Sequence, residues 1–197
     1  MKPFTIHIPQ PTLDDLRARL ANTRWPDEVE GAGWGHGTNR AYLRTLVQYW
    51  QDTFDWRKQE AVLNQSAHFR VEVDGVGLHF LHERGRGDHP LPLLLAHGWP
   101  DSFYRFHKLL PLLTDPAAHG GRAEDAFDVV VPSLPGYGFS DKPTRPGAGD
   151  GRTAALLHRL MTQTLGYARF GATGATWAAA SPSGWPWPSP AHWREFT

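Results

Sequence analysis

The residues best suited to chemistry stand in two short segments. One is His97-Gly98-Trp99-Pro100; the other is Pro132-Ser133-Leu134-Pro135-Gly136-Tyr137-Gly138-Phe139-Ser140-Asp141-Lys142-Pro143. Each follows an apolar run of the kind that forms a strand buried on both faces, and open parallel sheets gather functional groups at the carboxyl ends of such strands. In the first segment Gly98 lets the chain turn sharply, and Pro100 can hold it in an unusual geometry such as a cis peptide. That turn would aim a backbone N–H into a pocket, where it could stabilise a developing negative charge. His97 reads as a structural or pocket-lining histidine rather than a general base. In the second segment Gly and Pro, taken alone, mark a loop. Two such segments separated by one helix are far more specific than either.

Composition narrows the chemistry. The 197 residues carry 20 Lys+Arg against 20 Asp+Glu, a formal net charge of zero. That leaves no overall basic surplus of the kind nucleic acid or acidic lipid would attract. The chain has no cysteine, which excludes disulfides, thiolate metal sites and cysteine nucleophiles. A hydrophobic share of 40% with 20% charged residues fits an ordinary globular protein. No apolar run approaches the roughly 20 residues of a membrane helix, and the segment Met1-Lys2-Pro3-Phe4-Thr5 lacks a signal peptide's apolar stretch. A cytoplasmic chain without a membrane span is expected.

The elements that must position the two segments follow from periodicity. Thr12 is placed to cap a helix with Leu13, Leu16 and Leu20 on one face. Residues 25–37, rich in Gly and Trp, read as loop. Asn39 is placed to cap a second helix whose Tyr42, Leu43, Leu46, Val47 and Trp50 form a broad apolar stripe, expected to pack in a core. A short third helix is expected over residues 57–63. From Phe69 the period becomes alternating, with Phe69, Val71 and Val73, then an Asp74-Gly75 turn, then Leu78, Phe80 and His82, which together read as a hairpin. Buried strands are expected at residues 91–96 and 127–131, and a further short one at 167–171. Helices carrying Phe103, Phe106, Leu109, Leu110 and Leu113, and then Leu156, Leu157, Leu160 and Leu165, alternate with them. Apolar strand and amphipathic helix in alternation is the α/β signature.

On these residues the chain resembles the α/β-hydrolase superfamily and, within it, the epoxide hydrolases of the microsomal type. The match runs from Phe4-Thr5-Ile6 through Arg24-Trp25-Pro26, Asp55-Trp56-Arg57, Leu63-Asn64 and residues 74–80 to the two segments above, and extends to about Gly174. The resemblance implies an N-terminal domain over residues 1–90, with an extension to about residue 110, and the first part of a hydrolase core over residues 91–177. The core is expected as an incomplete, mostly parallel sheet with flanking helices. The implied reaction is detoxifying hydrolysis of a small-molecule epoxide to a vicinal diol, without metal or cofactor. The resemblance gives Trp99 the backbone N–H of an oxyanion hole, in a loop of His97, Gly98 and Pro100, with Trp177 as a second contributor.

One position departs from that family. Its nucleophile is an aspartate at a strand-to-helix elbow, and alignment on Trp177 puts Thr176 there, framed by Gly174, Ala178 and Ala179. An aspartate opens an epoxide to an ester, whose carbonyl carbon water can attack, whereas a threonine oxygen gives an ether with no such carbon. Threonine is also β-branched, which adds strain at a tight elbow. The family's acid and histidine lie further downstream than Thr197, and His192 and Glu195 read as surface residues. Residues 178–197, with Pro182, Pro186, Pro188 and Pro190, read as a Pro/Trp-rich tail in place of a helix, of the kind a shifted reading frame would produce. The expectations are a truncated, catalytically silent member with an open sheet edge and poor solubility. The alternatives are a binding or dimerisation module built on the aromatic N-terminal region, or another α/β-hydrolase such as an esterase, which would need Ser, Cys or Asp at position 176.

Overall fold

In the computed structural model, which describes residues 1–147 and 149–174, the chain divides into two units. One is Ile6–Gln65; the other comprises Met1–Thr5 and the chain from Ser66 onward. Thr176, Trp177, His192, Glu195 and the tail at 178–197 lie outside the described residues. Among the described residues no helix is long and apolar enough to cross a membrane.

The Ile6–Gln65 unit holds three helices, α1 (Gln10–Ala21), α2 (Arg40–Asp52) and α3 (Trp56–Leu63). Thr12 does not cap α1; it sits inside the helix, donating its N–H to Pro9 O at 3.0 Å. The helix starts earlier because Pro11 supplies a ready-made helical φ in the first turn, where its missing N–H costs nothing. Asn39 caps α2 as expected, its Oδ1 accepting from Tyr42 N at 3.0 Å, and Asp55 caps α3 through Lys58 N. Asn64 ties the strand-like entry to the end of α3, donating to Ile6 O and accepting from Ile6 N. Buried Glu60 accepts from Ile8 N, Trp56 Nε1 and Arg57. The α2 stripe is not core: no residue of α2 is buried. Leu46, Tyr49 and Trp50 instead face an apolar groove of about 360 Å³ shared with Leu13, Leu16 and Leu20.

The second unit is built on a six-stranded sheet. Its strands are β1 (Lys2–Pro3), β2 (His68–Val73), β3 (Val76–Glu83), β4 (Leu91–Ala96), β5 (Phe127–Pro132) and β6 (Gly171–Gly174), in the order β1-β2-β3-β5-β4-β6. The α/β class holds and the sheet is mixed. Strands β4 and β5, and β4 and β6, run parallel, while the β1–β2, β2–β3 and β3–β5 ladders are antiparallel. The β2–β3 hairpin turns on Asp74 (φ +50°) and Gly75 (φ +73°), the left-handed pair of a type I′ turn. This hairpin, grouped by sequence with the helical region up to residue 90, pairs into the sheet and belongs to that unit.

Two expectations are corrected here. Residues 103–113 form no single helix but a 3-10 turn at Phe103–Phe106 and then α4 (Leu110–Thr114). Pro111 cannot sit in a helix interior, where its ring meets the carbonyl four residues back, so it starts a new helix. Residues 167–170 are not strand; β6 begins at Gly171. Tyr167 instead sends its hydroxyl to Asp128 Oδ2 at 2.7 Å, where Arg84 also bonds. Helix α5 (Asp150–Arg159) runs into a π-helical turn, Leu160–Thr164, and its Leu157, with Leu160 and Met161, packs on Phe80, Leu94 and Val130 in the sheet core.

Candidate functional site

The two segments read as chemical stand together because β4 and β5 are parallel neighbours, with Leu94 paired to Val130. Both strands therefore release their loops at one edge of the sheet. Strand β6 ends there as well, since Ala96 is in register with Gly174. Thr176 and Trp177 are outside the described residues.

His97 is fully buried and uses both ring nitrogens. Its Nδ1 bonds Gly98 O at 2.9 Å, and its Nε2 accepts from Leu134 N–H at 3.1 Å. A carbonyl on one nitrogen and an N–H on the other leave only one consistent form, neutral with the proton on Nδ1. Burial holds the imidazole below its usual pKa, against the opposing pull of the Gly98 carbonyl. A base with both nitrogens occupied and its proton affinity depressed is not available to reacting groups, which matches the structural role read from sequence. The ring also meets Tyr137 edge-on, centroids 5.1 Å apart.

The Gly98 contact has a geometric consequence. A peptide is planar and its C=O and N–H point in opposite directions, so fixing Gly98 O fixes the Trp99 N–H. The Trp99–Pro100 bond that follows is cis. Among the described residues nothing takes up the Trp99 N–H, and Trp99 is 63% exposed. The arrangement is a held, unpaired backbone donor at the edge of the sheet, the chemical requirement of an oxyanion hole.

The second segment is clamped from the hairpin side. Ser133 N donates to His79 O at 2.8 Å, Ser140 Oγ donates to Ser133 O and accepts from His79 N, and Asp141 accepts from Gly77 N and pairs with Arg70. Gly138 has φ +49°, and a Cβ there would lie 2.5 Å from Ser133 Oγ. Sequence reading missed the buried chain that underlies this clamp: His68 Nδ1 to His79 Nε2 at 2.9 Å, and His79 Nδ1 to Ser133 Oγ at 2.8 Å. Burial, then the nearby His68 and Arg70, push His79 down to about 3. Alternation suggested that only Leu78, Phe80 and His82 of this strand would face inward, but β3 lies between β2 and β5 and buries Leu78 to His82 without a break. Three histidines on two adjoining strands were the available signal. Among the described residues no cluster of three or more His, Asp or Glu could hold a metal ion.

Comparison with known proteins gives consistent relatives. Residues 1–106 match the family "Epoxide hydrolase N terminus", and residues 92–184 match the α/β hydrolase fold. The chain is 51% identical over 177 residues to a putative epoxide hydrolase of Stigmatella aurantiaca, covering 90% of this chain and 40% of that protein. It is 38% identical over 183 residues to epoxide hydrolase 1 of Oryctolagus cuniculus, covering 91% of this chain and 40% of that one. Juvenile hormone epoxide hydrolase from the silkworm Bombyx mori superposes with a TM-score of 0.81 at 32% identity, covering 91% of this chain and 47% of that one. The Aspergillus niger epoxide hydrolase gives 0.76 at 29% identity, covering 91% and 47%. The chain therefore spans about 40% of the length of the curated relatives it matches.

Proposed function

The chain belongs to the epoxide hydrolases, with their N-terminal domain ahead of an α/β-hydrolase core, and from that membership we propose that it presents the oxyanion half of an epoxide site without a nucleophile able to complete turnover. The substrate class is a small-molecule epoxide. The held Trp99 N–H is suited to the negative charge that builds on an oxygen of the covalent intermediate.

One feature of the sequence supports the reading: residue 176 is threonine, and alignment on Trp177 assigns it to the position of the family's nucleophilic aspartate. A carboxylate that opens an epoxide leaves an ester, and water then attacks the ester carbonyl and regenerates the acid. A hydroxyl that opened the same ring would leave an ether, with no carbon for water to attack. His97 offers no substitute, because both its nitrogens are engaged. The esterase reading is disfavoured by the same residue, since it too needs a nucleophile with an activating partner.

The test is incubation of the purified 197-residue chain with styrene oxide while diol formation is followed. The expected result is diol at the uncatalysed rate. Many turnovers per chain would overturn the proposal.

A further inference from the structure

On the hairpin side of the sheet unit lies a cavity of about 570 Å³, formed by the β2–β3 turn, the loop after β5 and the first turns of α5. That volume falls in the range of small-molecule sites. It shares Pro135, Asp141, Lys142 and Pro143 with the second segment but contains none of residues 97–100. Two carboxylates line it, and both are engaged: Asp74 pairs with Arg159, and Asp141 pairs with Arg70 while accepting from Gly77 N. Three cations line it as well, Lys142, Arg145 and Arg152. Among the described residues none of the three has an ion-pair or hydrogen-bond partner.

A chain of zero net charge thus concentrates unmatched positive charge at one concavity. Spare cations scattered over a surface are ordinary, but three around one cavity whose acids are already neutralised leave a positive potential with nothing to answer it. Thr144 and Thr153 add hydroxyl donors to the wall, and Val76, Pro135 and Leu156 supply apolar surface. Two guanidinium groups suit a tetrahedral oxyanion, which they can grip through paired N–H donors, and the lysine adds a point charge.

We propose that this cavity binds a phosphate monoester of a small apolar alcohol, the phosphate held by Arg145, Arg152 and Lys142 and the organic body lying on Val76 and Leu156. A dianion makes better use of three cations than a carboxylate does, so carboxylates bind more weakly. The site is independent of the epoxide reading, and either can fail without the other.

Calorimetric titration of the full chain with phenyl phosphate tests it, with phenylacetate and benzyl alcohol as comparisons. Saturable binding of phenyl phosphate is expected, weakening as salt rises, with phenylacetate weaker and benzyl alcohol not binding. In the Arg145→Gln/Arg152→Gln double variant the affinity should fall at least tenfold. Both side chains are exposed and unpartnered, so the fold should persist by circular dichroism; if the double variant does not fold, each single variant should weaken binding several-fold. Arg122→Gln, which removes an exposed arginine paired to Asp125 outside the cavity, should leave binding unchanged. No saturable binding of phenyl phosphate, equal affinity in the arginine variants, or equal binding of benzyl alcohol would each overturn the assignment.

Discussion

A single imidazole, His97, joins the loops after β4 and β5 and sets one peptide plane. Replacing it with alanine leaves the Leu134 N–H and the Gly98 carbonyl without partners in a buried place and opens a cavity. His97→Ala should therefore cost roughly 2–4 kcal/mol in urea unfolding, and the Trp99 amide resonance should broaden as its plane is released. Gly138 is constrained twice, by φ +49° and by Ser133 Oγ, which would lie 2.5 Å from an added Cβ. Gly138→Ala should cost about 1–3 kcal/mol, and a neutral result would show that the loop can move off Ser133. Burial holds His79 at about 3 and keeps His97 low as well, so both are bases whose folded pKa is depressed. The unfolded chain, with imidazoles near 6.5, takes up protons the folded chain refuses. Their stability is whole above about pH 6.5 and is lost as pH falls toward the folded values. Melting temperatures recorded from about pH 7.5 down to about pH 5 should decline, and His79→Asn should make the decline shallower. An unaltered slope in that variant would assign the acid loss to other groups. The role of His97 was legible in sequence from its place beside Gly98 at a strand end. The chain from His68 through His79 to Ser133 was not, because its members are brought together by strand register.

At the scale of elements, local chemistry was readable wherever it was self-contained. The Asp74-Gly75 turn and the Asn39 cap need only a few neighbouring residues, and both stand where periodicity put them. Helix boundaries near proline were not readable from apolar spacing alone. Pro11 moved the start of α1 ahead of Thr12, and Pro111 split the stretch from Phe103 into two short pieces. The α2 stripe is a different case: spacing showed an amphipathic helix but could not say what covers its face. A pair of substitutions measures that distinction. Leu94→Ala, in the packed sheet core, should cost roughly 2–5 kcal/mol. Leu46→Gln, on the exposed stripe, should change stability by less than about 0.5 kcal/mol. Equal costs would mean that the stripe is covered in solution.

For the molecule as a whole, the proposed reading turns on the side chain at position 176. On the proposed reading, Thr176→Asp in the 197-residue chain supplies a carboxylate, while His97, among the described residues, has both ring nitrogens engaged and cannot serve as the base that releases its ester. Mass spectrometry after styrene oxide treatment should show at most one epoxide added per chain, with no sustained diol. Steady diol release from this variant would show that water activation is already present. The amino-acid order alone determined the family and marked His97-Gly98-Trp99-Pro100 as a turn at a strand end, because each is written in a few consecutive residues with distinctive chemistry. Only the tertiary structure decided that the hairpin joins the sheet, that His79 is buried against Ser133, and that Lys142, Arg145 and Arg152 surround one cavity. Those facts depend on strand register and loop closure between residues far apart in the chain, which local patterns do not encode.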